Sequence, residues 1–207
     1  MKRFVALAAA LLAAVAISAA PDETLSKSDR DKAVAEFKGS QKAFLNATKG
    51  LSAAQWNFKS APERWSVAEC AQHIAMSENF IFGVVKDRVL TTPLALEKKD
   101  AVKGKDELIL TILQDRSHKA TAPEPIDPTK KPMTPEESLK LFKESRAKTL
   151  DYVKTTKDDL RDHIFDHPAP AIGALDGYQW LLLISGHTRR HTAQILEVKA
   201  DPNFPKK

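Results

Sequence analysis

Four long segments in which apolar residues recur every three or four positions constrain the fold of this chain more than any other feature of its sequence. That spacing places the apolar side chains on one face of an α-helix. No stretch alternates apolar and polar residues over the length of a strand, and only seven glycines occur among 207 residues, so we expect no strands. The predicted helices cover residues 29–49, 66–90, 134 to at least 153, and 177–199.

Two of these helices have a recognisable start. Ser66 is followed three residues later by Glu69, and Thr134 is followed by a proline and then by Glu137. Both are capping boxes, in which the hydroxyl and the carboxylate each bond the backbone N–H of the other residue. Four long amphipathic helices without strands predict an all-α protein and, within that class, a four-helix bundle.

The segments between the helices are rich in turn-forming residues. Residues 105–116 have the pattern of a short helix, whereas 119–132 are rich in proline and are expected to form a loop. A second irregular stretch covers residues 166–177. We expect 123–132 and 169–176 to form the wall of a pocket.

The first twenty residues have the pattern of a secretory signal peptide. Lys2 and Arg3 precede an apolar run that ends in small residues at positions 18–20, and this order is typical of a cleaved leader. We predict a signal peptide over 1–20 and a single bundle domain over 21–207. The mature protein is then periplasmic or secreted, without stable insertion into a membrane.

Charge and cysteine content exclude two further classes. Removing the two basic residues of the leader lowers the net charge from +5 to +3, and the lysines are interspersed with acidic residues. This pattern indicates solvated helix faces and not a surface for nucleic acid. Cys70 is the single cysteine, which excludes an intramolecular disulfide, and its place in an apolar pattern predicts a buried thiol.

His187 and His191 lie one turn apart on the last predicted helix, on a face that otherwise carries apolar residues. A buried imidazole is unfavourable unless it is hydrogen-bonded or bound to a metal, and two adjacent imidazoles disfavour each other's protonation. A divalent ion binds neutral imidazoles and meets both needs. Gly186 beside them allows another backbone to approach. Two histidines packed as core residues would explain the spacing equally well.

A metal site needs further ligands, and four other histidines are available. His73 borders the apolar face of the second helix, from which it can reach across a bundle, whereas His118 precedes the proline-rich loop and is expected to be exposed. His163 and His167 repeat the spacing of the first pair, but the prolines and charges around them disfavour a helix. The predicted metal ligands are His73, His187 and His191, with His167 as a further candidate from an adjacent loop.

Two stretches of this sequence resemble the DinB-like superfamily. They are "ERWSVAECAQHIAMSENFIF", which contains His73, and "GYQWLLLISGHTRRHTAQILEV", which contains the pattern H-x-x-x-H-x-x-Q at His187, His191 and Gln194. The resemblance implies a four-helix bundle that holds a divalent ion, zinc or nickel, through three histidines near one end of the bundle. It also implies pairwise association into a homodimer. Relatives in that superfamily include metal-dependent thiol S-transferases and a mycothiol-dependent isomerase.

Two classes of function follow from these observations. The first is an exported metal-dependent enzyme, a hydrolase or a transferase, acting on a small-molecule substrate that the sequence does not specify. Export disfavours thiol transfer, since low-molecular-weight thiols belong to reducing compartments, and we therefore favour hydrolysis. Gln194, one turn beyond His191, is a candidate contact to a ligand of the ion. The alternative is a non-catalytic, stress-related bundle protein that binds a metal or a ligand.

Overall fold

The structure, a computed structural model, describes residues 25–116 and 121–206 and forms a four-helix bundle. The predicted leader and His118 lie outside the described residues. Within those ranges, no helix combines the length and the apolar character that crossing a membrane requires. The four long helices are α1 (Lys27–Thr48), α3 (Val67–Asp87), α6 (Pro135–Thr155) and α7 (Gly177–Lys199), and the connections carry the short helices α2 (Ala53–Asn57), α4 (Lys99–Val102) and α5 (Lys105–Ile112).

Side-chain caps define where the long helices begin. The capping boxes predicted at Ser66 and Thr134 are both confirmed, with each hydroxyl accepting from the backbone N–H three residues on. A third box starts α7, where Asp176 accepts from the backbone of Gln179 and the Gln179 side chain accepts in return. These caps satisfy N–H groups that have no partner inside the helix, which explains why the predicted starts agree with the observed ones.

Helix α1 runs parallel to α7. Tyr178, at the start of α7, donates its hydroxyl to the carbonyl of Asp29 at the start of α1 (2.9 Å). At the other end, Lys199 donates to the carbonyl of Ala47 (2.7 Å). The first and last helices of the chain therefore lie side by side and run in the same direction.

Helix α3 likewise runs parallel to α6. Arg146 pairs with Glu78 (2.7 Å), and further along both helices the rings of Phe82 and Tyr152 meet with centroids 5.2 Å apart. Both α1 and α3 pack against α6 and α7. The bundle therefore consists of two parallel pairs, and the connection from α3 to α6 is the long one that carries α4 and α5.

The apolar core is divided into two clusters with polar residues between them. One cluster includes Phe37, Ile81 and Leu181, and the other includes Phe44, Ile74 and Ile195. Five buried side chains that lie between these clusters along the four long helices form what we call the polar layer: Ser40, Ser77, Glu78, Arg146 and Thr188. Burying polar groups is unfavourable unless they find partners, so the partners of this layer matter to the fold.

A short β-hairpin lies between α6 and α7 and corrects the expectation of no strands. Strands β1 (Ile164–Asp166) and β2 (Ala174–Asp176) pair antiparallel, and Gly173 in the connecting turn has a φ of 65°. That left-handed conformation favours glycine. Three residues are too few to produce a recognisable alternation, and the all-α prediction holds for the bundle itself.

Several local predictions are confirmed. The helix predicted over 105–116 is α5, and the proline-rich loop contains only the 3₁₀ turn Glu124–Ile126 within its described residues. Cys70 is fully buried, which raises the pKa of its thiol. Helix α5 packs closely on α7 at Gly186, where a Cβ atom would lie 3.0 Å from the carbonyl oxygen of Ile109.

Candidate metal centre

Three histidines from two helices converge inside one end of the bundle. His73 comes from α3, and His187 and His191 come from successive turns of α7. One ring nitrogen of each lies within 4.8 Å of those of the other two, and the Nε2 atoms of His73 and His187 are 3.2 Å apart. Among the described residues, no other group of three or more His, Cys, Asp or Glu side chains is close enough to share an ion.

The orientation of His73 is set by the proline-rich loop. Its Nδ1 lies 2.8 Å from the carbonyl oxygen of Ile126, and because a carbonyl only accepts, Nδ1 carries the proton. The Nε2 of the neutral ring is then an acceptor that faces the other two histidines. Gln72, the preceding residue, fastens the same loop by accepting from the backbone of Met133 and donating to the carbonyl of Lys131. Segment 123–132 thus reaches the site, whereas 169–176 form the hairpin and the start of α7.

The orientation of His191 is set by Gln194. The Nδ1 of His191 lies 2.9 Å from Oε1 of Gln194, and Arg116 donates to the same oxygen (3.3 Å). Arg116 is itself held by Glu197 through two hydrogen bonds of 2.6 and 2.9 Å. The sequence suggested that Gln194 contacts a ligand of the ion. In the structure its oxygen orients the imidazole of His191, as polar partners of metal-binding histidines commonly do, and a contact from Gln194 to a ligand of the ion stays a prediction.

Trp65 covers the cluster from the start of α3. Its ring centroid lies 4.8 Å from that of His73 and 5.8 Å from that of His191. Both of these histidines are buried, and His187 is the most exposed of the three. Trp65 was not among the predicted site residues, although its position just before a capping box that leads to His73 was a usable signal.

All three imidazoles are held neutral. Burial lowers the pKa of His73, and it lowers the pKa of His187 well below the usual range with the help of the two neighbouring rings. Burial, reinforced by His73, lowers the pKa of His191 to about 3. Neutral imidazole is the form that binds a metal. The lowered pKa values therefore disfavour proton binding and leave the three ring nitrogens available to a metal ion.

The spacing of two of the three donors matches a divalent ion of the zinc type, and the third donor lies within 4.8 Å of both. Two nitrogens bound to one ion at about 2.0–2.1 Å with tetrahedral angles lie about 3.3 Å apart, and the Nε2 atoms of His73 and His187 are separated by 3.2 Å. Three protein ligands are typical of sites that leave one position open for water or substrate. Closed structural sites have four.

A buried arginine lies beside the cluster and uses every one of its donors. Arg146 gives two hydrogen bonds to the carboxylate of Glu78, both 2.7 Å, and others to the Phe37 carbonyl and the Ser40 hydroxyl of α1. The last goes to the hydroxyl of Thr188 (3.0 Å), the residue after His187. Arg146 therefore connects all four long helices at the level of the site. Its signal in the sequence was a charged residue on the apolar face of α6.

The second histidine pair lies in a different structure. His163 and His167 flank β1, and residues four apart in a strand are separated by about 13 Å. The Nδ1 of His163 bonds the carbonyl of Thr92 (2.7 Å), and the Nδ1 of His167 accepts from the backbone of Ala169 (3.0 Å). His167 is not part of the three-histidine group, because the hairpin directs it to its own loop.

Comparison with known proteins agrees with this architecture. The family model described as the DinB superfamily matches residues 36–195. The uncharacterized protein YuaE of Bacillus subtilis is 26% identical over 154 residues, which cover 74% of this chain and 89% of YuaE. The solved structure of YfiT from Bacillus subtilis, described as "a probable metal-dependent hydrolase with an unusual four-helix bundle topology", matches with a TM-score of 0.55 at 19% identity, over 87% of this chain and 91% of its own. The match to YfiT bears on the fold alone, whereas the family model covers most of the described residues: this chain belongs to the DinB superfamily.

Proposed function

We propose that this protein is a metal-dependent hydrolase whose divalent ion, zinc or nickel, is held by His73, His187 and His191. The convergence of three neutral imidazoles supports this proposal, because two of them have their Nδ1 atoms anchored by oxygen acceptors and present Nε2 to the common centre. The description of YfiT as a probable metal-dependent hydrolase is in keeping with it.

The chemistry divides between the ion and the chain. An ion held by three imidazoles would supply Lewis acidity and would make bound water acidic enough to act as a nucleophile near neutral pH. Ile126 and Gln194 hold two of the rings in one tautomer. Trp65 limits solvent access on one side, and the greater exposure of His187 marks the side from which a small-molecule substrate enters.

Export supports hydrolysis over thiol transfer. The leader pattern over residues 1–20 favours a periplasmic or secreted protein, and thiol cofactors are scarce in oxidising compartments. Hydrolysis needs only water as a second substrate.

Metal content is the measurement that tests this proposal. Protein purified without a histidine tag or chelators is expected to contain close to one equivalent of zinc or nickel by mass spectrometry. His73→Ala and His187→Ala are expected to lose it, and His163→Ala, the matched control from the hairpin, is expected to keep it. A screen of ester, amide and phosphoester substrates then compares wild type with His187→Ala.

Two results separate the alternatives. Folded protein that contains no metal and takes up no added zinc or nickel would make the histidines core residues and end the enzyme proposal. Stoichiometric metal without turnover across the screen would favour the non-catalytic binding protein.

A further inference from the structure

Ser77 carries a buried hydroxyl that has no hydrogen-bond partner among the described residues. The residue is 1% exposed, and its Oγ is one of two such hydroxyl oxygens, the other belonging to Ser138. Hydroxyls inside helices usually bond the carbonyl four residues earlier, and several buried threonines of this protein do so: Thr48, Thr149, Thr188 and Thr192. Ser77 does not, and a buried hydroxyl without a partner is unfavourable.

Ser77 follows His73 by one turn on the same face of α3. Side chains on a helix lean toward its N-terminus, so the Ser77 side chain leans toward the turn that carries His73. The next residue, Glu78, reaches Arg146, whose Nη2 also bonds Thr188 of α7. This shared nitrogen places residues 77 and 78 of α3 level with the turn of α7 that contains His187.

We infer that Ser77 is a fourth polar residue of the metal site, and that its hydroxyl hydrogen-bonds the small oxygen ligand, a water or a substrate oxygen, that shares the site with the three imidazoles. The inference rests on the proposed function. A hydroxyl is able to donate to such a ligand and to accept from it, which no other residue of the polar layer is free to do: Ser40, Glu78, Arg146 and Thr188 are all bonded to one another or to backbone.

Ser77→Cys tests the position of this side chain with Co²⁺ as the probe. The substitution changes one atom and creates a His-x-x-x-Cys spacing, from which a thiolate is able to bind the same ion as His73. We expect the cobalt-loaded full-length variant to show a thiolate-to-cobalt charge-transfer band in the near ultraviolet. Wild type provides the baseline, because native Cys70 is also one turn from His73. Ser138→Cys, the other unpartnered hydroxyl, is the matched control and is expected to match wild type.

The possible outcomes separate the two proposals. If the hydroxyl contacts the oxygen ligand, its replacement either brings the thiolate to the ion or alters that ligand. A folded Ser77→Cys variant with no new charge-transfer band and with visible ligand-field bands identical to those of wild type therefore overturns the role of Ser77 and leaves the histidine site standing. Wild type without ligand-field bands overturns the metal site itself, and the inference with it.

Ser77→Ala provides a second test if the cysteine variant does not fold. Loss of a polar partner at a metal site commonly lowers affinity about 10-fold or more. We expect a loss of that size for Co²⁺ in Ser77→Ala, with an unchanged circular dichroism spectrum, and none in Ser138→Ala. Equal affinity in Ser77→Ala and wild type would overturn the inference.

Discussion

The two histidine pairs of this protein have the same spacing in sequence and opposite roles in the structure. His187 and His191 are on consecutive turns of α7 and face His73 across the bundle, whereas His163 and His167 flank a β-strand and each bond nearby backbone. An i, i+4 spacing therefore predicts a shared site only where the backbone is helical. The prolines after His167 were the feature that distinguished the pairs.

The first pair also depends on what packs around it. The polar layer fixes α7 against α3, α6 and α1 through Arg146, so the partner His73 is brought to the pair by interactions remote in sequence. The hairpin pair is held by separate contacts: His163 bonds the carbonyl of Thr92, from a distant segment, whereas His167 bonds the backbone of Ala169 two residues on.

Arg146→Ala is expected to have the largest effect, because it removes the residue that fixes the helix of the first histidine pair. The substitution leaves the buried carboxylate of Glu78 without its partner, and breaking a buried ion pair in this way typically costs about 3–5 kcal/mol of unfolding free energy. Urea unfolding of the metal-free protein measures it. The double variant Arg146→Met, Glu78→Met is expected to recover most of the loss, since an apolar pair needs no compensation. A double variant as unstable as the single one would show that the bonds from Arg146 to α1 and α7, or its packing, matter more than the charge pair.

Replacing one histidine from each pair shows directly which pair contributes to zinc affinity. His191→Ala removes a ligand, and its zinc affinity is expected to fall by more than the roughly 10–100-fold typical of residues that only orient ligands. His167→Ala, from the hairpin, is expected to keep wild-type affinity. Competition with a chromophoric chelator gives both values. Comparable losses in the two variants would contradict the separation of the pairs.

Gln194→Ala tests the first pair without removing a predicted metal-binding histidine. His191 loses the acceptor for its Nδ1–H, and metal affinity is expected to fall about 10–100-fold with little change in fold. Gln194→Glu keeps an acceptor at the same place and is expected to retain affinity within a few-fold. Zinc titrations with the same chelator serve as the measurement, and equal affinity of the alanine and glutamate variants would argue against an orienting role.

Acidification is expected to weaken the metal-free protein through the first pair. The folded pKa of His191, about 3, lies below the value of about 6.5 for an unfolded chain. Stability from this neutral imidazole is therefore complete above pH ~6.5 and is lost as the pH falls toward the folded pKa, at about 1.4 kcal/mol per pH unit at most. His191→Leu cannot bind that proton, so its unfolding free energy, measured in a chelator between about pH 6 and 4, should vary less steeply. An unchanged slope would mean that other groups control the acid sensitivity.

Much of the architecture was predictable because the sequence signals of a helix, its periodicity and its capping residues, lie within the helix itself. The starts of α3 and α6 followed from Ser66 and Thr134, whose side chains cap the residues next to them. The hairpin was not predictable, since its strands have three residues each and derive their order from pairing with one another. Boundaries at the ends of α3 and α5 were overextended by a few residues, as expected where a last turn frays or tightens.

The candidate site likewise has one part that was predictable from the sequence and one part that was not. Its three histidines could be named from the sequence because helical spacing determines which face each one occupies. Most of their partners could not, because the carbonyl of Ile126 and the guanidinium of Arg116 come from separate segments. Trp65, directly before the helix that carries His73, is the partner for which the sequence held a signal. A backbone carbonyl in particular leaves no trace in sequence, because every residue has one.

The sequence by itself thus determined the long helices and the faces on which His73, His187 and His191 lie, since periodicity and capping act over a few residues. Only the tertiary structure decided that α1 and α3 each run parallel to a neighbour, that Arg146 joins all four long helices, and that the buried Ser77 hydroxyl has no hydrogen-bond partner in the part of the chain that the structure describes. These features depend on which side chains meet across the core. Such contacts depend on how the whole chain packs and cannot be derived from any single segment.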